Sequence, residues 1–253
     1  MIHSFLLIGQ SNAAGRGLLN EAEPFDNCDG KLKVLRNGRW QNMYRPVNPD
    51  RWFSGTCLAE SFAKAYSDSH PDVEVGIIPC ADGGTSLEQW QPGGLLFDNA
   101  INCAKLAMRT SHLIGVLWHQ GEGDCSLERY PLYQERFTII MDELRKCLEI
   151  LNLPILVGGL GDFLSECTLS ENTKNYYHIN RALRKIADEY PNCGYVSAEG
   201  LGANPDNLHF NAKALDEFGW RYFEEYQKLS SLDMFTGKKP KESDTVRTAM
   251  ELL

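Results

Sequence analysis

Four short segments of the sequence carry side chains whose types suit acyl-transfer chemistry. They are Gly9-Gln10-Ser11-Asn12, Ala81-Asp82-Gly83-Gly84-Thr85-Ser86, Trp118-His119-Gln120-Gly121-Glu122-Gly123-Asp124 and Asp206-Asn207-Leu208-His209-Phe210. A serine hydroxyl is a poor nucleophile by itself. It needs an imidazole to take its proton, a carboxylate to orient that imidazole, and N–H donors to stabilise the oxyanion. The four segments together contain all of these groups.

The segment around Ser11 is open to three interpretations: a phosphate-binding loop, a nucleophile at the end of a strand, or a simple turn. A phosphate-binding loop requires Gly-x-x-x-x-Gly-Lys-Ser/Thr, whereas the residue five after Gly9 is Ala14 and no lysine follows it. The dinucleotide fingerprint Gly-x-Gly-x-x-Gly also fails, because the glycines stand at positions 9, 15 and 17. These failures leave the nucleophile and the simple turn.

Asp206 and His209 are spaced so that, in a tight turn, the carboxylate could accept a hydrogen bond from the imidazole Nδ1–H. The structural alternative is a turn followed by a helix cap, because Asp is common in turns and Asn211 could cap the next helix. Asp124 is a rival partner for the histidine. The Asp206–His209 pair gains weight because a glycine-flanked serine, Ser11, ends the first predicted strand.

The elements that must position these segments alternate between strands and helices along the chain. Near-continuous apolar runs predict strands at 3–9, 73–80, 113–120, 154–160 and 193–199, and helical patterns cover 57–69, 95–109, 130–151, 172–190 and 211–229. Apolar runs of this kind are typical of a parallel sheet that is covered on both faces. We therefore expect a doubly wound α/β domain with right-handed crossovers, which is a three-layer α/β/α sandwich around a mostly parallel five-stranded sheet.

In such a sheet, ligands bind beyond the carboxyl ends of the strands, and each of the four segments follows a predicted strand. We therefore expect the segments to meet at one edge of the sheet. Residues 20–56 break the βα alternation, and Asn37-Gly38 between two apolar runs indicates a hairpin turn. We expect this region to be an excursion near the site.

The size and composition of the chain indicate an ordinary globular protein. It has 253 residues, 43% of them hydrophobic, and a formal net charge of −9. We expect one domain over 1–230 and a polar, peripheral tail over 231–253. The negative charge argues against nucleic-acid and membrane partners, and nothing in the sequence indicates the oligomeric state.

No apolar run in the sequence is long enough for a transmembrane helix, and the N-terminus lacks the pattern of a signal peptide. We therefore expect a cytoplasmic protein, or a secreted one if a leader has been removed. The eight cysteines form neither a Cys-x-x-Cys motif nor a Cys/His metal spacing, and we expect them to be mostly reduced. We expect no metal and no other cofactor.

Taken together, the four segments resemble conserved blocks of the SGNH (GDSL-like) hydrolase superfamily. Within it, the sequence is most similar to the branch of sialate O-acetylesterases and carbohydrate esterase family 6, which includes acetyl xylan esterases. The matching stretches are GQSNAAGRG for the first block, ADGGTSLEQW for the second, WHQGEGD for the third and DNLHF for the fifth. Their order and spacing fit over residues 3–228, and the four blocks together are highly specific. The resemblance implies a flavodoxin-like fold.

The resemblance also implies roles for three residues. Ser11 would be the nucleophile, His209 the general base that later returns a proton to the leaving sugar oxygen, and Asp206 the residue that orients His209. The enzyme would be a serine esterase that removes short acyl groups, most often acetyl, from carbohydrates through an acyl-serine intermediate. Its partner would be a small-molecule or oligosaccharide acetyl ester. The alternatives are another SGNH serine hydrolase, of thioesterase or lysophospholipase type, and a non-catalytic carbohydrate-binding module.

The implied oxyanion donors come from three of the four segments. They are the Ser11 backbone N–H, the backbone N–H of Gly83 or Gly84, and the Gln120 side-chain amide. Glycine suits a position where the substrate approaches the backbone closely, because it has no Cβ. Gly83 is favoured over Gly84, although the sequence does not separate two adjacent glycines.

Several neighbouring residues keep more than one interpretation each. Gln10 either satisfies backbone groups at the turn or touches the substrate, and Asn12 supports the turn or the third block. Glu122 and Asp124 either bind sugar hydroxyls, hold their loop, or are solvated loop charges. Trp90, with Trp52 and Trp40, forms an apolar platform for a sugar ring or simply fills the core.

Overall fold

The computed structural model describes the backbone of residues 1–235 and side chains as far as residue 229. A seven-stranded sheet lies at its centre, in the order β3-β2-β4-β1-β5-β6-β7. The strands are β1 (Ile2–Gly9), β2 (Leu32–Arg36), β3 (Arg39–Asn42), β4 (Glu74–Pro79), β5 (Ser111–His119), β6 (Ile155–Gly158) and β7 (Cys193–Val196). Every neighbouring pair is parallel except β2 with β3, so all strands but β3 have their carboxyl ends at the same edge.

Helices cover both faces of this sheet. They are α1 (Ser11–Ala14), α2 (Leu58–Ser69), α3 (Leu95–Met108), α4 (Tyr133–Leu148), α5 (Tyr176–Glu189) and α6 (Ala212–Phe235). Helices α3, α4 and α5 contribute to one buried apolar cluster, and α2 and α6 contribute to the other. The predicted three-layer α/β/α architecture is therefore confirmed.

The central strand β1 shows how the sequence divides its apolar side chains between these layers. Successive side chains of a strand point to opposite faces of the sheet. Phe5 and Leu7 pack in the cluster with α2 and α6, whereas Leu6 and Ile8 pack in the cluster with α3, α4 and α5. All four side chains are fully buried, which explains why β1 is apolar without the alternation of a one-sided strand.

The expectation of five strands is wrong, because the hairpin in residues 20–56 adds two strands to the sheet. The turn itself is as predicted: Asn37 and Gly38 both have positive φ, as a two-residue type I′ turn requires. Strand β2 then pairs in parallel with β4, so the hairpin forms one end of the sheet. Local periodicity identifies a hairpin, but it does not reveal which sheet edge offers free hydrogen-bonding groups.

The other predicted elements lie where the apolar patterns place them, with shifts of a few residues at their ends. The largest shift is at α6, whose backbone continues to Phe235 although the pattern predicts its end at residue 229. Helix α5 begins at Tyr176 rather than at residue 172, after a 3₁₀ turn at Glu171–Asn175. Strands β6 and β7 end earlier than predicted, at Gly158 and Val196. The predicted tail, 231–253, lies outside the described residues, except that the backbone of α6 continues to Phe235.

Candidate active site

Ser11 lies where the central strand β1 ends and the short helix α1 begins. Gly9, just before the turn, has a φ of +130°, and a Cβ at this position would overlap the carbonyl group of His119 on β5. Glycine is therefore required for this close approach. Ser11 is the first residue of α1, so its hydroxyl is held at the carboxyl edge of the sheet and at the positive end of a helical turn.

Ser11, His209 and Asp206 form one chain of hydrogen bonds. The Nε2 atom of His209 lies 3.0 Å from Ser11 Oγ, and its Nδ1 atom lies 2.7 Å from Asp206 Oδ2. His209 and Asp206 come from the loop between β7 and α6, which meets the β1 turn at the carboxyl edge. In the tautomer with a proton on Nδ1, Nε2 is free to accept the serine proton, which is the geometry that a general base needs.

The loop of Asp206 holds its carboxylate in the charged form. Asp206 Oδ1 accepts hydrogen bonds from the backbone N–H groups of Leu208 (2.9 Å) and His209 (3.0 Å), as in an Asx turn. Burial raises the pKa of the Asp206 carboxyl, but the hydrogen bonds from these N–H groups and from the His209 ring outweigh it. The pKa therefore lies below its ordinary value of 3.8, and the carboxylate stays ionised beside the histidine.

Asn12 links the turn at Ser11 to the loop of His209 and to the third segment. Its Nδ2 donates to Glu122 Oε1 (2.5 Å) and to the Leu208 carbonyl oxygen (3.2 Å). Its Oδ1 accepts the backbone N–H of Phe210 (3.0 Å). These hydrogen bonds bind the residues on both sides of His209, so Asn12 fixes the position of the imidazole relative to Ser11. Glu122 in turn positions Asn12.

Gln10 organises the turn that follows β5. Its Oε1 accepts hydrogen bonds from the side chain of Gln120 (3.2 Å) and from the backbone N–H groups of Gly121 (3.3 Å) and Gly123 (3.1 Å). All of the described hydrogen bonds of its side chain are made by this one oxygen. The Gln10 side chain therefore shapes the site by joining the first segment to the third.

Asp124 and Gln120 are paired with each other in the interior. Gln120 Nε2 donates to Asp124 Oδ2 (2.6 Å) and to the Thr85 carbonyl oxygen (3.2 Å), and Asp124 Oδ2 also accepts the Leu87 N–H (2.9 Å). Both side chains are fully buried. Burial raises the pKa of the Asp124 carboxyl above its ordinary value, despite these hydrogen bonds. Within residues 1–229, Asp124 makes no hydrogen bond or ion pair with His209.

A buried ion pair holds the second segment, residues 81–86, which follows β4 and is called the glycine segment below. Asp50 accepts two hydrogen bonds from Arg16 (3.0 and 2.7 Å), one from Ser54 Oγ (2.7 Å) and one from the Gly83 N–H (2.9 Å). Burial raises the pKa of the Asp50 carboxyl, but the hydrogen bonds from Arg16 and Ser54 and the Arg16 charge outweigh it, so its pKa is lowered. The Gly83 N–H thus already has an acceptor in this structure.

Asp50 and Arg16 are missing from the residues singled out on sequence grounds. The signals were weak: Arg16 stands between two glycines, and Asp50-Arg51 is a charged pair in a loop after the hairpin. A loop charge is usually solvated, and neither residue lies in a periodic pattern that would indicate burial. Only the return of residues 43–56 to the carboxyl edge brings Asp50 against Arg16 and the second segment.

The remaining sequence candidates divide between the open edge and the core. Gly84 has a φ of +77°, with open space where a Cβ would lie. Gly83 lies against Ser11, since a Cβ there would be 3.5 Å from Ser11 Cβ. Trp90 is buried and donates from Nε1 to Thr85 Oγ1 (3.1 Å), so it supports the glycine segment from within the core. Trp52, in contrast, is 95% exposed.

The chemistry available at this edge is that of a serine, a histidine and a carboxylate. Among the described residues, no group of three or more His, Cys, Asp or Glu side chains is arranged to hold a metal ion. The same part of the chain contains no helix that is long and apolar enough to cross a membrane.

Comparison with known proteins places this chain in a family. The family described as carbohydrate esterase, sialic acid-specific acetylesterase, matches residues 1–228, which include all four segments. The chain belongs to this family. It is therefore an esterase, and membership of this family supports acetyl esters as the bonds that it hydrolyses.

Individual relatives agree with the family assignment. A probable carbohydrate esterase of Arabidopsis thaliana is 27% identical over 241 residues, which cover 85% of this chain and 86% of that protein. Its solved structure has a TM-score of 0.79 at 23% identity, over 89% of this chain and 98% of that chain. NanS has a TM-score of 0.70 at 17% identity, over 91% of this chain and 98% of its own.

A third solved structure belongs to a carbohydrate acetylesterase of Xanthomonas citri, XAC1771. It has a TM-score of 0.66 at 19% identity, and the match covers 90% of this chain but only 56% of that chain. At identities this low, the structural similarity establishes a shared fold and nothing further. The α/β fold with a central sheet between helices is thus that of SGNH hydrolases, as the sequence blocks indicated.

Proposed function

We propose that the chain is a serine esterase that removes acetyl groups from carbohydrates through an acyl-Ser11 intermediate. One observation carries the proposal: Ser11, His209 and Asp206 are joined by hydrogen bonds of 3.0 and 2.7 Å at the carboxyl edge of the sheet. The family supplies the type of ester, because it is a family of carbohydrate acetylesterases. A soluble acetylated sugar is also compatible with a net charge of −9, which disfavours anionic surfaces as substrates.

The reaction starts with attack of Ser11 Oγ on the acetyl carbonyl carbon, while His209 Nε2 takes the hydroxyl proton. The tetrahedral intermediate collapses when His209 returns that proton to the sugar oxygen, which leaves as the alcohol. Water then attacks the acetyl-serine, with His209 again as the base, and acetic acid is released as Ser11 regains its proton. Throughout, Asp206 keeps Nδ1 protonated and stabilises the imidazolium that forms twice in each cycle.

The backbone N–H groups best suited to stabilise the oxyanion are those that have no acceptor in the protein. Within residues 1–229, neither the Ser11 N–H nor the Gly84 N–H donates a hydrogen bond to the protein. We therefore propose these two as the main donors, since an available N–H needs no rearrangement when charge develops. The Gly83 N–H already donates a hydrogen bond to Asp50. It contributes to the oxyanion only if that hydrogen bond is bifurcated or released.

Gln120 takes a different role in this proposal from the one that the sequence resemblance implies. Its amide is fully buried and donates to Asp124 and Thr85, so these contacts favour a positioning role for the side chain. Donation to the oxyanion stays a prediction. It would require the Gln120 amide to leave Asp124, whose buried carboxylate would then lose a hydrogen bond at considerable cost.

The test is hydrolysis of 4-nitrophenyl acetate by the wild-type chain and by Ser11→Ala. We expect the variant to lose at least about 10³-fold in kcat while keeping its melting temperature, because only the attacking atom is removed. Ser69→Ala, which changes an exposed serine at the end of α2, is the matched control and should retain full activity. Turnover by Ser11→Ala at more than a tenth of the wild-type rate would refute the nucleophile.

The substrate class needs a second measurement with the same wild-type protein. Release of acetate is compared among acetylated xylo-oligosaccharides, acetylated sialic acids and acetylated monosaccharides, and aryl esters of increasing acyl length are measured alongside. We expect activity on at least one acetylated carbohydrate and a steep decline beyond short acyl chains. A preference for long acyl chains would instead favour the thioesterase or lysophospholipase alternative.

A further inference from the structure

An aromatic pair stands on the surface next to the proposed active site. Trp52 is 95% exposed and Phe53 is 52% exposed, and their rings meet edge to face with centroids 5.2 Å apart. A tryptophan side chain has a large apolar surface, and leaving nearly all of it in water forgoes most of the stabilisation that its burial would bring. Such a residue is therefore better explained by contact with a ligand than by folding.

The loop that carries this pair is firmly attached to the glycine segment. Asn48 exchanges two hydrogen bonds of 2.9 Å with the backbone of Ala81. Asp50 accepts the Gly83 N–H at 2.9 Å, and Arg51 donates to Asp82 Oδ1 at 2.7 Å. These contacts hold the residues just before Trp52, and Ser54, just after the pair, donates from Oγ to Asp50 Oδ1 at 2.7 Å. Trp52 is therefore presented on an ordered support.

A short series of contacts connects the pair to the nucleophile. A Cβ at Gly83 would lie 3.5 Å from Ser11 Cβ on one side and 2.5 Å from Arg16 Nη2 on the other. The Arg16 guanidinium lies 5.2 Å from the centre of the Phe53 ring, and Phe53 contacts Trp52. An oligosaccharide with its acetyl ester at Ser11 can therefore extend over Phe53 and Trp52.

Polar groups beside the aromatic rings have the chemistry that binds sugar hydroxyls. Arg51 and Asp82 form an ion pair at 2.7 Å, and their side chains remain 41% and 32% exposed. The guanidinium also donates to the Gly83 carbonyl oxygen at 3.0 Å. A pyranose ring has C–H groups on its faces and hydroxyls around its rim. An aromatic face next to a planar charged pair matches both features at once.

We propose that Trp52, edged by Phe53, binds a pyranose ring of the substrate on the leaving-group side of the ester. This inference rests on the proposed function and deepens it, because it assigns the sugar a place beside the acetyl group. A long acyl chain is the other occupant that exposed aromatic rings could accept. We assign the pyranose because the charged pair Arg51–Asp82 borders the platform and offers nothing to a hydrocarbon chain.

The experiment compares two acetyl esters that differ only in the alcohol. For each variant, kcat/KM is measured on an acetylated oligosaccharide and on 4-nitrophenyl acetate, and the ratio of the two is calculated. We expect Trp52→Ala to lower this ratio by about 5- to 20-fold, mainly through KM, since an aromatic contact holds substrate and transition state alike. Trp52→Phe should recover much of the ratio. Tyr177→Ala, an exposed aromatic residue on α5, is the control and should leave both activities at the wild-type level.

The outcomes separate this inference from the function on which it rests. A wild-type protein that hydrolyses no acetylated carbohydrate would overturn the proposed function itself. A wild-type protein that does so, together with an unchanged ratio in Trp52→Ala, would overturn the platform alone. An equal loss on both esters would indicate a structural role for Trp52. A loss of activity in Trp52→Ala that appears only on aryl esters with longer acyl chains would assign the platform to the acyl group.

Direct binding gives a readout without turnover. In the Ser11→Ala background, tryptophan emission is recorded while the acetylated oligosaccharide is added. Because Trp52 is the most exposed tryptophan among the described residues, we expect its emission to shift to shorter wavelength on binding. The shift should be absent from Ser11→Ala/Trp52→Phe. Persistence of the same shift in the double variant would place the sugar elsewhere.

Discussion

Two aspartates near the turn at Ser11 lie in opposite environments. Asp206, in the loop before α6, has a side chain that is a third exposed and accepts hydrogen bonds from two backbone N–H groups and His209. Asp124, in the turn after β5, is fully buried and is bonded to Gln120 and the Leu87 N–H. The pKa of Asp206 is lowered and that of Asp124 is raised.

The difference teaches which carboxylate suits each task. The role proposed for Asp206, stabilising an imidazolium, requires a charged carboxylate, and hydrogen bonds in a partly exposed loop keep Asp206 charged. A residue that ties two loops together in the interior needs acceptor oxygens more than it needs charge. Asp124 supplies them to Gln120 and the Leu87 N–H, and its burial excludes the solvent that would support an ion.

The largest expected effect separates the two residues by activity. Asp206→Asn should lower kcat on 4-nitrophenyl acetate by roughly 10³-fold, because an amide favours the wrong histidine tautomer and cannot stabilise the imidazolium. Asp124→Asn keeps an acceptor oxygen and should lose less than about tenfold. Steady-state kinetics on both purified variants provides the measurement. If Asp124→Asn were the more damaged enzyme, the assignment of Asp206 as the partner of His209 would be wrong.

A smaller effect, of opposite order, is expected in stability. Asp124→Ala should lower the free energy of unfolding by about 2–4 kcal/mol, because two buried donors, on Gln120 and Leu87, lose their acceptor. Asp206→Ala should cost about 1 kcal/mol, since water can reach the N–H groups that are released. Urea denaturation of the two variants and the wild-type chain measures the difference. Equal losses would mean that the two sites do not differ in burial as described.

The smallest effect is the dependence of stability on pH. Both carboxyls titrate near 3.8 in the unfolded chain. The lowered pKa of Asp206 means that its contribution is present above 3.8 and is lost as the pH falls through the folded value. The raised pKa of Asp124 means that its contribution is present below 3.8 and is lost as the pH rises through the folded value.

This opposition can be measured with the two Asn variants. Between about pH 2 and pH 6, the difference in unfolding free energy between wild type and Asp206→Asn should grow with pH. The same difference for Asp124→Asn should shrink over that interval. Chemical denaturation at several pH values gives both curves. Parallel curves would contradict the opposite directions of the two pKa shifts.

Much of the fold was predictable because it depends on local pattern. Apolar runs such as 3–9 mark buried strands, and the Asn37-Gly38 pair marks a hairpin, since only certain residues adopt positive φ without cost. The attachment of β2 to β4 was not predictable. It depends on backbone groups about 40 residues apart in the chain, and periodicity contains no information about such pairings.

The candidate site shows the same division. Because the predicted strands are parallel, the sequence alone predicted that Ser11, His209 and Gln120 lie at one edge of the sheet. It left Asp206 and Asp124 as rival partners of the histidine, and it overlooked Asp50. Each of these questions concerns which side chain a buried polar group meets, and the partner often lies far away in the chain.

The sequence by itself determined the kinds of groups available: a glycine-flanked serine, a histidine three residues after an aspartate, and glycine segments at strand ends. Tertiary structure alone decided their pairing. It placed Asp206 on His209, turned Gln120 toward Asp124 and left Trp52 in water on a loop held by Asp50. The physical reason is that residue type sets what a group can do, whereas burial and the partner decide its charge and direction. Both of these arise only when distant segments pack together.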